Sequence, residues 1–411
     1  MAVVHSAAGQ HTLRERNLAL VAQEIYSADE PLSRAAIAGR TGLTRATVSS
    51  LVDLLVDTQI VAELDPVFSR RAGRPAVPLV PARGTYFGIG LEVNVSYLGG
   101  VIHDLTGTPY HRVIIPGDFH GSNPTDVLNQ LAHVTTELIN AVHTSNDRPT
   151  HSTPIIAGAH LALPGLVDPN NATLRIAPNL RWADLDPVDT SAITTAITNA
   201  TGQHITVRIG NEANYGALAA KHAAGLNTFI YVSGEVGIGS AIILDHTLFL
   251  GRRGWSGELG HVTIDPEGPP CSCGSQGCLE QYAGLDAILT AAGLETADGI
   301  TGLTTALHTS DAAATAAVHS AAVALGRALS DYANLLDIHM VVLGGIYADL
   351  YPYIVETITQ ALRSQVLSAP WATFDILPGT LGSGAAMVGA AHEAVRDVYT
   401  NPSPWISTDA P

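Results

Sequence analysis

Hydrophobic positions in the first eighty residues follow a helical period. From Leu13 to Tyr26 the apolar side chains recur at intervals of three and four residues, which predicts a helix with one apolar face. Residues 1–12 lack such a pattern and are predicted to form a loose tail. The ordered part of the chain is therefore expected to begin near residue 13.

Two shorter helical segments follow, and a glycine separates them. Ser33 is a suitable N-cap for the first segment and Thr44 for the second, which would end near Asp57. Gly42 lies between them. Two short helices around a glycine turn are typical of a helix-turn-helix, so this region predicts one.

The segment after these helices has the features of a wing. Short β-prone runs lie on both sides of SRRAGRP (residues 69–75), in which Gly73 permits a tight tip and Pro75 suits an edge strand or a loop. Flexible cations at such a tip would enter a minor groove beside the reading helix. These cations are Arg70, Arg71 and Arg74.

From residue 86 onward the pattern changes. Apolar, β-branched runs such as TYFGIGLEVNV, PIIAGAHLAL and TFIYVSG alternate with Ala-rich helical stretches, the longest of which spans residues 311–336. This alternation predicts an α/β fold with sheets covered by helices, and a ligand crevice at the carboxyl ends of the strands. No internal repeat of fixed period is visible.

Charge is divided unevenly along the chain. The 411 residues carry a formal net charge of -17, yet residues 1–80 hold eight Arg against eight Asp plus Glu, so the acidic excess lies in the remainder. An acidic body repels DNA, whereas the neutral, arginine-tipped unit does not. Contact with DNA is therefore expected from the N-terminal unit alone.

Targeting and membrane signals are missing from the pattern. No apolar run reaches 18 residues, and no basic segment followed by an apolar core and a small-residue cleavage site opens the chain. We therefore expect a soluble, cytoplasmic protein with no membrane partner.

All three cysteines of the chain lie within eight residues. His261, Cys271, Cys273 and Cys278 are separated by nine, one and four residues, and thiolate and imidazole are the ligands that zinc prefers. Four protein ligands close a tetrahedral shell, so the predicted Zn²⁺ is structural rather than catalytic. Free thiols in a surface loop are the alternative, and a redox pair fits the spacing poorly.

Two carboxylates accompany this cluster. Glu258 precedes His261 by three residues, and Glu280 follows Cys278 by two. Neighbouring carboxylates beside an imidazole suit a polyol, whose adjacent hydroxyls donate to them in pairs. The alternative is that both glutamates are solvated or support the metal ligands.

The chain resembles the ROK family of repressors and sugar kinases. The segment GELGHVTIDPEGPPCSCGSQGCLEQYAG resembles the zinc signature of the family, and HLALPGLVD, APNLRW, NEANYGALAAKHAAG, VVLGGIY and GSGAAMVGAAHEA resemble its other blocks. The resemblance implies a winged helix-turn-helix followed by a two-lobed actin- and hexokinase-like (ribonuclease H-like) α/β domain, with a sugar between the lobes.

The resemblance also implies domain limits and site residues. The expected parts are the tail (1–12), the winged helix-turn-helix (13–80), a linker (81–85), a first lobe (86–205, with helix 384–398 packing back on it) and a second lobe with the zinc loop (206–383). The implied zinc ligands are His261, Cys271, Cys273 and Cys278. The implied ligand contacts are Asn179, Asn211, Glu212, Glu258, His261 and Glu280, with Pro164 and Gly165 lining the same cleft.

The segment GIGLEVNVS departs from the kinases of this family. Where they resemble one another in Asp-x-Gly-Gly-Thr, this chain has Gly90 for the Asp, Glu92 and Val93 for the glycines and Asn94 for the Thr. A carboxylate and a β-branched side chain at a phosphate site would repel and obstruct ATP. Glu212 stands where the kinases have a catalytic Asp, so we interpret it as a ligand contact and expect no catalysis.

These observations predict a transcription regulator, most simply a repressor. It would bind a palindromic double-stranded operator as a homodimer or homotetramer and respond to a sugar or a related metabolite. The expected DNA contacts are Thr44, Arg45, Thr47, Ser49, Ser50, Arg70, Arg71 and Arg74. A sugar kinase with a fused DNA-binding domain is the rival hypothesis, and a regulator whose effector is no sugar is a third.

Overall fold

The computed structural model describes residues 10–66, 76–145, 148 and 153–406. Its α-helices are α1 (Gln10–Tyr26), α2 (Arg34–Thr41), α3 (Arg45–Asp57), α4 (Pro124–Thr144), α5 (Ser191–Thr201), α6 (Glu212–Ala224), α7 (Glu280–Ala283), α8 (Leu285–Ala292), α9 (Gly299–His308), α10 (Ala312–Leu336), α11 (Ile346–Asp349), α12 (Tyr351–Gln365), α13 (Ala385–Thr400) and α14 (Ser403–Ile406). Its strands are β1 (Leu32–Ser33), β2 (Val61–Glu63), β3 (Pro78–Pro81), β4 (Tyr86–Val93), β5 (Tyr97–Asp104), β6 (Pro109–Pro116), β7 (Ile155–Leu163), β8 (Leu166–Asp168), β9 (Thr173–Ala177), β10 (Trp182–Leu185), β11 (Val207–Asn211), β12 (Phe229–Gly234), β13 (Ile238–Leu244), β14 (Thr247–Leu248), β15 (Met340–Gly345) and β16 (Asp375–Pro378).

The helix-turn-helix forms where its capping residues predict it. Ser33 accepts a hydrogen bond from the N–H of Ala36 at the start of α2, and Thr44 accepts one from the N–H of Thr47 at the start of α3. Gly42 ends α2 with a φ of 73°, a left-handed conformation that favours glycine. Helix α1 begins at Gln10, slightly before the predicted start, because a helix extends into polar residues once its apolar turns have formed.

A small antiparallel sheet completes the N-terminal unit. Its strand order is β1-β3-β2, and Arg34 at the start of α2 forms ion pairs with Asp53 of α3 and Glu63 of β2. The predicted wing strands β2 and β3 are therefore tied to the helices. The wing-tip cations Arg70, Arg71 and Arg74 lie outside the described residues.

The predicted linker is packed against both neighbouring units. The N–H of Ala82 donates to the carbonyl of Ile60 over 3.0 Å, and the N–H of Gly84 donates to the Asp104 carboxylate over 2.8 Å. Since these bonds hold both ends of residues 81–85, the N-terminal unit sits directly on the body of the protein.

The body contains two lobes, each built on a five-stranded sheet. The first sheet has the order β11-β7-β4-β5-β6 and the second β14-β13-β12-β15-β16. In each sheet, the first strand pairs antiparallel with the second strand of its lobe and parallel with the fourth. Numbered within its own lobe, each sheet therefore has the order 3-2-1-4-5, a duplication that the sequence pattern did not indicate.

Strand β11 belongs to the first of these sheets. It pairs in parallel with β7, from Val207 opposite Ala159 to Asn211 opposite Leu163, although the predicted lobe boundary at residue 205 assigns it to the second lobe. A parallel partner must arrive through a crossover, here the one that contains α5, so the chain completes the first sheet before it enters the second lobe.

Helix α10 forms the centre of the second lobe. It packs against α8 and α12, and its buried side chains join the main apolar cluster of that lobe. By length and composition it is the one helix in the described part of the chain that would suffice to span a membrane, but more than half of its most apolar stretch is buried in the lobe. This is the behaviour of a core helix.

Helix α13 connects three parts of the molecule. It packs on β4 and β7 of the first lobe, crosses α6, and lies against α1. Tyr399 of α13 stacks on Tyr26 of α1 with ring centroids 3.6 Å apart. Gly389 allows the close crossing with α6, since a Cβ there would lie 1.9 Å from the carbonyl oxygen of Tyr215.

Three imidazoles meet at this junction. His392 of α13 lies between His103 of β5 and His222 of α6, with ring centroids 4.4 Å and 4.8 Å apart. Burial lowers the pKa of His222 to about 4 and that of His392 to about 2. His222 and His392 are therefore neutral at neutral pH, and the three rings pack against one another.

Candidate ligand cleft and metal cluster

The four predicted metal ligands converge in one loop. One imidazole nitrogen of His261 and the sulfurs of Cys271, Cys273 and Cys278 lie within 4.8 Å of one another. The Nδ1 atom of His261 is 3.8 Å from the sulfur of Cys271. The sulfurs of Cys273 and Cys278 are 3.8 Å apart, which matches the separation of roughly 3.8 Å that two Zn–S bonds of about 2.3 Å give in a tetrahedron. The donor set and the geometry both fit a structural zinc ion.

Tight turns bring these ligands together. Gly277 has a φ of 67°, and a Cβ there would lie 1.6 Å from the carbonyl oxygen of Asp265, so only glycine fits. Isolated bridges pair Thr263 with Cys278 and Pro270 with Gln276. A metal bound here would pin the loop and fix the ring of His261 through Nδ1, which leaves Nε2 for the adjacent cleft.

That cleft lies between the lobes and gathers all six predicted ligand residues. A cavity of ≈ 670 Å³ is lined by Asn179, Asn211, Glu212, Glu258, His261 and Glu280. Pro164 and Gly165 line the same cavity, as expected from the resemblance. Asn211 ends β11 and Glu212 begins α6. The zinc loop and its flanks position Glu258, His261 and Glu280, and the loop before β10 positions Asn179.

Backbone contacts orient the polar groups of the cleft. Asn211 caps α6 by accepting from the N–H of Asn214, and its amide donates to the carbonyl of Gly165 over 3.0 Å. The Glu280 carboxylate accepts from the N–H of Ile238. Both side chains are therefore held in place before any ligand arrives, which lowers the entropic cost of binding.

A second cavity of ≈ 400 Å³ continues the cleft on the side of GIGLEVNVS. Glu92 lies there almost completely buried, and its carboxylate accepts hydrogen bonds from the Tyr97 hydroxyl over 2.7 Å and from the N–H of Met387 over 3.1 Å. Met387 lies in the first turn of α13, where the backbone N–H groups have no acceptor within the helix and favour an acidic side chain. The acceptor at this helix end is the protein's own glutamate.

Burial and mutual repulsion raise the pKa values of the carboxyl groups here. Burial first, and then the charges of four other glutamates, raise the pKa of Glu212 well above its ordinary value. Burial, and then the charges of Glu92 and Asp349, raise the pKa of Glu235 to about 7. The pKa of Glu92 is also raised, chiefly by burial. Glu235 is therefore protonated in part of the population at neutral pH, so this group both donates and accepts.

Glu235 was not among the predicted site residues. It lies in the turn between β12 and β13 and lines both cavities. The signal was present in the sequence as an acidic residue inside the glycine turn SGEVGIG. Glycine turns between strands are common, however, and only the packing of the two lobes brings this one against Glu92 and Glu212.

The predicted DNA contacts in α3 differ in their availability. Thr44 and Thr47 bond to each other over 2.8 Å as part of the cap, so their hydroxyls are used within the protein. Arg45 and Ser50 are exposed, and Ser49 is half-buried. Arg45 forms no hydrogen bond or ion pair with other described residues, which leaves its guanidinium available for a phosphate or base edge.

Comparison with known proteins places the chain. Residues 122–396 match the sequence profile of the ROK family. The xylose repressor of Bacillus spizizenii is 31% identical over 389 residues, which cover 93% of this chain and 95% of that protein. The chain belongs to the ROK family. The DNA-binding transcriptional dual regulator NagC of Escherichia coli K12 is 24% identical over 82% of each chain.

Solved structures of this ROK protein's relatives agree on the fold. A ROK family transcriptional regulator described as a homologue of the E. coli MLC protein has a TM-score of 0.74 at 25% identity, covering 96% of this chain and 99% of its own. A ROK family glucokinase from Streptomyces griseus, solved with glucose and AMPPNP, has a TM-score of 0.61 and covers 74% of this chain and 98% of its own. The predicted fold class is confirmed, and the kinase has no counterpart for about a quarter of this chain.

Proposed function

We propose that this protein is a transcription repressor that binds operator DNA through its helix-turn-helix and releases it when a sugar occupies the interlobe cleft. The similarity to the xylose repressor extends over 93% of the chain, so it includes most of the N-terminal unit as well as the body. The observation that carries the proposal is the carboxylate of Glu92 at the N-terminus of α13, in a chain that also has a helix-turn-helix.

That carboxylate argues against phosphoryl transfer. Kinases of this fold receive phosphate in the segment that here contains Glu92, and catalysis depends on positioning and neutralising the phosphate charge. In this protein the same place holds a buried acid already bonded to Tyr97 and Met387. Binding of a neutral polyol makes no such demand, so the sensing half of the site remains usable.

The cleft supplies the chemistry of a polyol sensor. Carboxyl and amide groups from both lobes face one cavity, and a ring of hydroxyls bridges such groups by donating and accepting. Because the residues come from two lobes, a bound sugar favours the closed arrangement. Zinc bound by His261 and the three cysteines would keep the second-lobe wall of the cleft in place.

Helix α13 is suited to transmit closure to the DNA-binding unit. Its N-terminus bonds Glu92, its middle crosses α6, and Tyr399 near its end stacks on Tyr26 of α1. A small rotation between lobes would therefore move α1 and change the spacing of paired α3 helices in a homodimer or homotetramer. A near-complete switch needs the sugar to prefer one state by about 5.5 kcal/mol.

The test uses the full-length protein and duplexes selected from a randomised DNA pool. We expect enrichment of a palindromic sequence and at least a tenfold loss of its affinity in the presence of D-xylose, D-glucose or N-acetyl-D-glucosamine, measured by fluorescence anisotropy. Arg45→Ala should weaken binding about tenfold and lower the salt slope by roughly 1. Arg363→Ala, an equal charge change on the exposed face of α12, is the matched control.

Two results would overturn the proposal. One is the absence of any enriched duplex or of any sugar effect on it. The other is sugar phosphorylation with ATP and Mg²⁺ at a typical kinase rate, on the order of 1–100 per second, in a coupled assay.

A further inference from the structure

The walls of the cleft are lined by carboxyl groups. Neither Lys nor Arg lines either cavity among the described residues. Glu258 and Glu280 lie on the zinc-loop side, and Glu92, Glu212 and Glu235 lie on the far side. A substituent of a bound sugar that reaches the far side therefore lies near Glu92, Glu212 and Glu235.

The two cavities form one continuous space. They share Asn94, Glu212, Glu235, Gly237 and Gly239. A sugar held by the six ligand residues therefore has the second cavity as the extension of its site. A group attached to the sugar at that end would lie among Glu92, Glu212 and Glu235.

Glu235 has no counter-charge in this position. Its backbone N–H donates to the carbonyl of Gly237 across the turn, and its carboxyl group forms no hydrogen bond with other described residues. At the nearby helix end, the Met387 N–H that would face an anion already donates to Glu92. The positive charge of Arg112 acts on Glu92 and partly offsets the rise in its pKa. The guanidinium of Arg112 itself donates to the carbonyl of Ser383.

We propose that Glu235, together with Glu92, makes the cleft select unphosphorylated sugars and reject sugar phosphates. This inference rests on the proposed function, because it concerns the effector of the same cleft. A phosphate monoester carries a charge of about −1.5 to −2. Placed here it meets buried carboxyl groups, no lining Lys or Arg among the described residues, and a first turn of α13 in which the Met387 N–H already donates to Glu92, whereas a hydroxyl finds both donors and acceptors.

Isothermal titration of the full-length protein compares each sugar with its ester. The pairs are D-glucose with D-glucose 6-phosphate, N-acetyl-D-glucosamine with its 6-phosphate, and D-xylose with D-xylose 5-phosphate. We expect at least one free sugar to bind, and its ester to bind at least about 100-fold more weakly. An ester that binds as tightly as its sugar overturns this inference and leaves the proposed function standing.

The failure of the proposed function looks different. If no sugar and no ester binds, the proposed function is wrong and this inference falls with it.

A pair of variants tests whether Glu235 is responsible for the selectivity. Glu235→Gln keeps the size of the side chain and removes its charge, and should lower the ratio of ester to sugar dissociation constants at least about tenfold. Glu356→Gln, at an exposed position on α12, should leave that ratio unchanged, and equal ratios in both variants would overturn the role of Glu235.

Discussion

Replacing Glu92 by alanine tests the central structural claim, that a buried carboxylate caps α13. Glu92 is 3% exposed, and its two donors, Tyr97 and Met387, are 7% and 0% exposed. In Glu92→Ala the Tyr97 hydroxyl and the Met387 N–H both lose their acceptor where water has little access. The first turn of α13 also loses the negative charge or dipole that complements it.

The magnitude follows from these two donors. A buried donor left without a partner costs about 1–3 kcal/mol, so two cost about 2–6 kcal/mol. Relief from burying a carboxyl group offsets part of this, and we expect a net loss of about 3 kcal/mol in the free energy of unfolding. Glu92→Gln keeps one acceptor oxygen and should lose about half as much. Tyr97→Phe removes one donor and should lose about 1 kcal/mol.

Two measurements check the result. The urea midpoint, followed by circular dichroism, should fall in the order Tyr97→Phe, Glu92→Gln, Glu92→Ala, with Glu92→Ala the least stable. Hydrogen exchange should show faster exchange of the peptide that contains Met387 in Glu92→Ala, with little change in a peptide from α10. If Glu92→Ala has the wild-type midpoint and wild-type exchange at the start of α13, the carboxylate does not cap this helix.

Three further predictions concern the metal, the crossing of α13 with α6, and pH. Cys273→Ser should lower bound zinc, measured by elemental analysis, from about one ion per chain to a small fraction of that; equal, negligible zinc in both proteins would refute the site. Gly389→Ala should cost about 3 kcal/mol, because its Cβ would clash with backbone of α6, whereas Gly39→Ala, with open space around it in α2, should gain up to about 1 kcal/mol. The pKa values of His222 and His392 are lowered to about 4 and about 2 in the folded protein, so unfolding releases sites that bind protons more readily. Above the unfolded pKa of about 6.5, neither state binds a proton at these sites, and stability does not depend on their titration. As pH falls below that value, the unfolded state binds protons first, so the free energy of unfolding decreases. The fall in the free energy of unfolding between pH 6.5 and pH 4.5 should therefore be smaller in His392→Gln than in the wild type, and an identical pH profile would contradict this.

Local signals were sufficient for the N-terminal unit and for the metal cluster. The caps at Ser33 and Thr44 and the break at Gly42 act through hydrogen bonds and backbone conformation within a few residues, so they can be identified without knowing the fold. The spacing of His261 and the three cysteines is equally local, since a short glycine-rich loop can close on itself in few ways. The resemblance to the ROK family supplied the six cleft residues, and the structure places them around one cavity.

Tertiary structure decided what the charged groups do. From the sequence, Glu92 was a side chain in the wrong place for ATP; in the folded protein it is the acceptor for the start of a helix almost 300 residues later in the chain. Glu235 was one residue of a glycine turn, and it came to line both cavities beside Glu92 and Glu212 only when the two lobes came together. The duplicated strand order was also hidden, because pairing between distant strands depends on topology and leaves no periodic trace in the sequence. Sequence by itself determined the local elements, their caps and the ligand chemistry of the zinc loop, because these depend on interactions between near neighbours. Only the fold determined which acids share one low-dielectric space, and burial in that shared space is what raises their pKa values.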